Sequence, residues 1–257
     1  MTAQDRTPAA TGQAKERIAK YLSRHGVASR RAVEAMIADE RITVNGEVIA
    51  HPATLVDDTD KIIVDGVPVG VKEPARLWLY HKPKNVMVSE RDPEGRSTIY
   101  DTLPPKIPRV MPIGRLDYNT EGLLLLTNSG ALKRHLELPS TGWLRRYRVR
   151  VQGVWRDEFS TALADGITVE GIKFGAIHAA REPRQKPGAR QLWLDISLRE
   201  GKNREVRRAM QHFELHVTRL IRVSYGPFQL GDLPEGGLRE VNAKILGEQI
   251  GQILTQL

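Results

Sequence analysis

Apolar residues recur along this chain at two spacings, and each spacing predicts an element. Ile18 and Leu22 fall on one face of a helix that begins near Lys15, and Gly26 supplies its stop. Ser29 can cap a second helix that carries Val33, Met36 and Ile37. Short strands are expected on both sides of Asn45-Gly46, the strongest short hairpin signal, and residues 61–64 alternate into Asp65-Gly66, a turn of the same kind. Residues 77–80 and 86–88 read as strands, and 99–103 as a short helix at most. Leu123-Leu124-Leu125-Leu126 is too short for a helix and is bounded by Gly122 and Asn128-Ser129-Gly130, so it predicts a buried strand.

Beyond it, residues 131–138 suit a helix and 145–151 alternate cleanly. Tyr147, Val149 and Val151 share one strand face, while Arg146, Arg148 and Arg150 share the other. Residues 156–165 read as helical, 167–175 as extended, and 182–190 as a basic loop bearing Pro and Gly. Leu192, Leu194, Ile196 and Leu198 mark one face of a further strand. Val206, Ala209, Met210 and Phe213 form the buried stripe of a helix, with Arg204 and Arg208 pointing away and Arg207 at its edge. A strand over 217–223 and a last helix capped by Asn242, with Ile245, Leu246, Ile250 and Ile253 inward, complete the pattern.

Many short strands joined by tight turns, with fewer helices, give an α+β fold class. The expected organisation is a disordered tail over 1–14, a small two-helix-plus-strands unit over 15–71 and a linker over 72–76. A mainly antiparallel-sheet domain with flanking helices then covers 77–257. There is no tandem repeat, and no low-complexity tract beyond the tail.

Composition narrows the partners. The chain has 257 residues, a formal net charge of +8 and no cysteine. Disulfides, thiolate metal sites and cysteine nucleophiles are therefore excluded, and the seven histidines are scattered, which argues against a metal site. No apolar run approaches the roughly 18 residues of a membrane span, and no signal-peptide core is present. A cytoplasmic monomer is the default expectation. The positive charge is clustered: Arg17, Lys20, Arg24, Arg30, Arg31 and Arg41 lie in the helical half of the first unit, whereas Asp57, Asp58, Asp60 and Asp65 lie in its strand half. Such a one-sided basic pair of helices suits nucleic acid first and an acidic membrane second; the other reading is an ordinary solvated face. No basic helix carries bulky aromatic anchors, which disfavours the membrane.

Three residues of the second domain carry chemistry. Asp117, in Gly114-Arg115-Leu116-Asp117-Tyr118-Asn119-Thr120-Glu121-Gly122, stands at the lip of a hydrophobic strand, where a catalytic carboxylate suits; it can equally bond its own turn. Tyr147 lies on the apolar face of a basic strand, which suits a core residue as well as a stacking one. Arg207, at a helix edge, can be half-buried, which costs free energy unless it finds a carboxylate; it can equally be a surface residue. Lys82 and Lys84 are placed to touch phosphate, and either can be plain surface.

Two stretches resemble known families. Residues 16–22, Ser29-Arg30-Arg31 and Arg41-Ile42-Thr43-Val44-Asn45-Gly46 resemble the small RNA-binding domain of the ribosomal-protein S-four type, which binds structured RNA through its two helices. "GRLD" with "NTEGLLLLT", then "YRV", then "EGKNREVRR" resemble the bacterial ribosomal RNA pseudouridine synthases, nearest to large-subunit synthase B and its relatives. The resemblance implies that Asp117 is the single essential aspartate, Tyr147 stacks on the target base, Arg207 pairs with the aspartate, and Arg115 helps displace the nucleotide. It also implies a ribosomal RNA substrate, free or in a precursor particle, most often of the large subunit, and no cofactor or metal.

Converting uridine to pseudouridine neither oxidises nor hydrolyses anything, which fits. Lys82, Lys202, Arg204 and Arg208, together with Arg17, Lys20, Arg30, Arg31 and Arg41, are then the candidates for RNA contacts. His81 and Tyr118 depart from the residues common at their positions in the nearest relatives and leave the subgroup open. The alternative is a non-catalytic structured-RNA-binding protein or ribosome assembly factor.

Overall fold

A computed structural model describes residues 14–183 and 190–254, so all but the last residue of the expected disordered tail and most of the 182–190 loop lie outside the described residues. The chain divides into two compact units between Pro74 and Ala75.

In the first unit, β1 (Glu16–Arg17) leads into α1 (Ile18–Arg24) and α2 (Arg30–Ala38). The Ser29 hydroxyl accepts the Ala32 N–H at 3.3 Å, which caps α2. Then come β2 (Ile42–Val44), β3 (Glu47–Val48), β4 (Leu55–Val56), β5 (Ile62–Val64) and β6 (Val67–Pro68). Four of these form a sheet in the order β3-β2-β5-β6, closed by two tight hairpins. Both hairpins need left-handed backbone at two successive residues, and the sequence supplies Asn45-Gly46 (φ 55° and 93°) and Asp65-Gly66 (φ 51° and 78°). The core joins Ile18, Leu22, Val33 and Ile37 of the helices to Ile42, Val56 and Ile62 of the strands.

The second unit runs β7 (Leu77–Lys82), α3 (Ile99–Thr102), β8 (Met111–Ile113), β9 (Glu121–Thr127), α4 (Gly130–Glu137), β10 (Arg145–Gln152), α5 (Glu158–Asp165), β11 (Thr168–Val169), β12 (Ile172–Lys173), β13 (Ile177–Arg181), β14 (Gln191–Leu198), α6 (Glu205–His212), β15 (His216–Tyr225), β16 (Phe228–Gln229), β17 (Leu238–Glu240) and α7 (Ala243–Leu254). Its main sheet has the order β13-β14-β10-β15-β9-β7-β17. Every neighbouring pair on that path is antiparallel except β15 and β9. No helix among the described residues is long and apolar enough to cross a membrane.

The four-leucine run explains itself in β9, whose every residue is buried. Leu123 and Leu125 pack into one core with Leu77, Ile113, Leu132 and Tyr225, while Leu124 and Leu126 pack into another with Trp78, Tyr80, Ile99 and Leu116. A strand covered on both faces has no polar alternation to show. A third core, beyond β15, gathers Val149, Val151, Leu194, Ile196, Val206, Ala209 and Met210.

Two expectations fail. Residues 86–88 form no strand, only a lone bridge from Met87 to Thr98: Asn85 is left-handed (φ 59°) and turns the chain, while Val86 is buried as part of a loop. Ile245 is half exposed, because Leu246 and Ile250, four apart, set the buried face of α7 and Ile245 stands one residue round from it. The Ile253 side chain lies outside the described residues.

The parallel joint of β9 and β15 is tight. Gly122, paired with Arg222, has φ +104°, and a Cβ there would lie 2.3 Å from the Arg222 carbonyl oxygen. Gly122→Ala is expected to destabilise the protein by about 2 kcal/mol or more. A lowered urea midpoint checks it; an unchanged midpoint would mean the two strands separate easily.

Candidate active site

Asp117 follows Leu116, which is buried under β7 and β9, and precedes β9 by a four-residue turn closed by the Thr120 N–H on the Asp117 carbonyl at 3.0 Å. The turn's next three carbonyls are all held from outside. Lys82 Nζ donates to Tyr118 O (3.4 Å) and Thr120 O (2.8 Å), and the Asn85 N–H also reaches Tyr118 O (2.8 Å). Arg207 Nη2, from α6, donates to Asn119 O at 3.0 Å. The aspartate is thereby presented from a fixed backbone, with its side chain about one-third exposed.

Lys82 therefore does not touch phosphate. It is fully buried at the end of β7, where it also donates to Pro83 O at 2.8 Å. The alternation of Leu77-Trp78-Leu79-Tyr80 carries its side chain inward. Burial pushes its ammonium down to about 8, and the charges of Asp117 and Glu121 oppose that.

Arg207 does not pair directly with Asp117 either. Its Nη1 donates to Val217 O (3.2 Å), its Nε is buried without a partner, and burial lowers its pKa, the Arg204 charge adding and the Asp117 charge opposing. The cation nearest the carboxylate is Arg204, with Nη1 3.8 Å from Asp117 Oδ2. Arg204 caps α6 in left-handed backbone (φ 50°), a strained conformation for an arginine and one that costs about 1 kcal/mol.

A cavity of about 580 Å³ opens at Asp117. Arg115, exposed, and Tyr147, half-buried, line it, with Lys202 and Arg204 on a further side and Leu198, Val206 and Leu220 as its apolar wall. Glu205, Arg222 and Tyr225, none of them among the residues expected at a site, also line it. The available signal was charge inside an apolar pattern: Arg222 interrupts Leu220-Ile221-Val223, and Glu205 adjoins the buried stripe of α6. Glu205 is buried, and burial pushes its carboxyl up, the Lys202 N–H opposing and the Glu200 charge adding.

The remaining basic candidates divide. Lys202 is engaged with Glu200 (2.8 Å) and Lys173 O (2.7 Å), and Arg208 with Glu170. In the first unit Lys20 pairs with Glu16 (2.9 Å) and Arg41 with Asp65 (2.7 Å). Arg17, Arg30 and Arg31 are exposed and make no ion pair among the described residues. Also among the described residues, no three His, Asp or Glu side chains gather as a metal ion would need.

Residues 76–212 match the family model described as RNA pseudouridylate synthase, a span that holds Asp117, Tyr147 and Arg207. The chain belongs to the RNA pseudouridylate synthase family. Residues 16–62 match the S4 domain, so the synthase carries an N-terminal S4 domain. An uncharacterized RNA pseudouridine synthase of Rickettsia felis is 40% identical over 231 residues, 90% of this chain and 99% of that one. Ribosomal large subunit pseudouridine synthase B of Pseudomonas aeruginosa is 41% identical over 249 residues, 92% of this chain and 63% of the relative. A crystal structure titled pseudouridylate synthase shares the fold at a TM-score of 0.63 and 22% identity, covering 91% of this chain and 98% of that one.

The depressed Lys82 pKa has a measurable sign. Between about pH 8 and 10.5 the unfolded chain keeps a proton that folded Lys82 has shed, so stability rises with pH in that window. Lys82→Met lacks this titration. From pH 8 to 10 the stability difference is expected to move in favour of the unsubstituted protein by about 2 kcal/mol, read from urea midpoints. A flat difference would mean that Lys82 stays charged throughout.

Proposed function

We propose that this synthase converts one uridine of large-subunit ribosomal RNA to pseudouridine, with Asp117 acting at the ribose after the base has turned out into the cavity. The observation that carries the reading is the placement of Asp117: a carboxylate on a clamped turn, at a cavity walled by Tyr147 and flanked by Arg115 and Arg204. The relative named for the ribosomal large subunit supports the choice of RNA.

The reaction breaks the bond from ring nitrogen to ribose, turns the base over and rejoins it through carbon. That requires one carboxylate at the ribose, either attacking the anomeric carbon or removing a ribose proton. A uridine inside folded RNA is out of reach, so extrusion costs on the order of a few kcal/mol, offset by stacking and phosphate contacts. Tyr147 supplies the stacking face, and Arg115 at the rim suits the displaced nucleotide. Arg207 fixes the turn that carries Asp117 and adds positive potential behind it, while Arg204 faces the carboxylate. Arg17, Arg30 and Arg31 of the S4 domain are the side chains best placed to meet phosphate, being exposed and without ion pairs among the described residues.

With purified protein and ribosomal RNA, Asp117→Asn is expected to lower product formation by about 10³-fold or more while RNA affinity stays within about threefold. Substantial pseudouridine from that variant would overturn the role given to Asp117. Removal of residues 1–74 is expected to weaken RNA binding and to flatten its dependence on salt, because phosphate contacts are lost. An unchanged slope of affinity against salt would reduce the basic helices to a solvated face.

A further inference from the structure

Arg222 is 2% exposed, in the middle of β15, yet most of its hydrogen-bonding capacity is unused. Nε donates to Leu123 O at 2.7 Å and is the only guanidinium nitrogen with a partner among the described residues; Nη2 is buried with none. No carboxylate lies within ion-pairing distance of it among those residues. Burying a cation in this state costs free energy that a single bond to a carbonyl does not offset, and a neutral donor would serve that bond as well.

The strand register says what lies in front of it. β10 and β15 slip by one residue between Arg146–Ser224 and Tyr147–Arg222, so Val223 is left without a partner. The bulge puts Arg222 and Tyr225 on one face together with Tyr147, directly across from Arg222, and all three line the cavity that holds Asp117. The guanidinium carbon lies 5.2 Å from the Tyr225 ring centre, and Nε is tied to Leu123, so the group is held in one orientation. Directly opposed residues have their Cβ atoms about 5 Å apart, so a ring stacked on Tyr147 brings its edge to Arg222. Thr120 contributes a second unsatisfied group to the same cavity, a buried hydroxyl oxygen without a partner.

We propose that Arg222 is the residue that reads the target base, donating to a carbonyl oxygen of the extruded uracil as it stacks on Tyr147. A guanidinium offers donors only. It suits either carbonyl oxygen of uracil, and it opposes cytosine where it meets the oxygen that cytosine replaces with an amino group. The Thr120 hydroxyl can accept from the ring N–H between those oxygens, which would complete a donor–acceptor pattern specific to uracil. A backbone phosphate suits it less well, since Arg222 is 2% exposed where it lines the cavity. This inference rests on the reading of the cavity as the seat of a flipped uridine.

The test uses the full chain and an RNA hairpin carrying the modified uridine, with that residue as uridine, 2-thiouridine or 4-thiouridine. Sulfur is a poor acceptor, so replacing the oxygen that Arg222 reads is expected to slow single-turnover product formation about 10- to 100-fold. Arg222→Met is expected to lose a similar factor on unmodified RNA, to show no further loss with the thio substrate, and to bind the hairpin within about threefold of the original affinity. Arg222→Lys is expected to restore part of the rate. Equal rates on all three substrates with the unsubstituted protein would overturn the proposal, and that measurement holds even if Arg222→Met fails to fold. An undiminished thio effect in a folded Arg222→Met protein would also overturn it. No product from unmodified RNA with the unsubstituted protein would instead overturn the functional reading on which it rests.

Discussion

The parallel contact between Gly122 and Arg222 joins the two halves of the catalytic sheet. All the other neighbouring pairs on the main strand path are antiparallel, and this joint sets β9 against β15, the two strands sharing the core that holds Leu123, Leu125, Ile221 and Tyr225. Because the backbones meet where any Cβ would collide, the register between the halves has little freedom. Asp117 arrives from one half, on the turn before β9. Tyr147, Arg204 and Arg207 arrive from the other, on β10 and α6. The cavity exists because the joint holds these two sets at a fixed separation.

Around that joint, buried and half-buried cations hold the backbone. Lys82 and Arg207 donate to the successive carbonyls of the turn that presents Asp117, and Arg222 ties β15 to Leu123 of β9. Lys82 and Arg222 take a full charge out of water to hold backbone and the half-buried Arg207 takes part of one, an expensive choice wherever a neutral donor would do. The arrangement has a second effect, since it surrounds a carboxylate-bearing cavity with positive potential suited to a polyanion. The strained backbone of Arg204, next to the carboxylate, is a further local cost borne at the site.

Much of this was legible from residue pattern. The hairpins at Asn45-Gly46 and Asp65-Gly66 follow from two-residue turns that need left-handed backbone, and the leucine run from its length and its bounding glycines. The α+β class followed from counting such elements, and Asp117, Tyr147, Arg204 and Arg115 do gather at one cavity. What escaped depends on three-dimensional neighbours. Lys82 follows an apolar strand and looks like a surface residue until β9 covers it. Periodicity puts Arg207 at the edge of a buried stripe and the resemblance pairs it with the aspartate, but neither shows that backbone carbonyls will meet it. Residues 86–88 have strand-like composition, but Asn85 turns the chain and no neighbouring strand lies alongside. Arg222 is a charge inside an apolar run, a sequence signal of a polar group buried in that strand.

The most direct measurement is a map of pseudouridines in ribosomal RNA from cells with and without this protein. The expected result is the loss of pseudouridine at one position of large-subunit ribosomal RNA, with the other positions unchanged. An identical map in both cells, or a loss confined to small-subunit or transfer RNA, would contradict the assignment of the substrate.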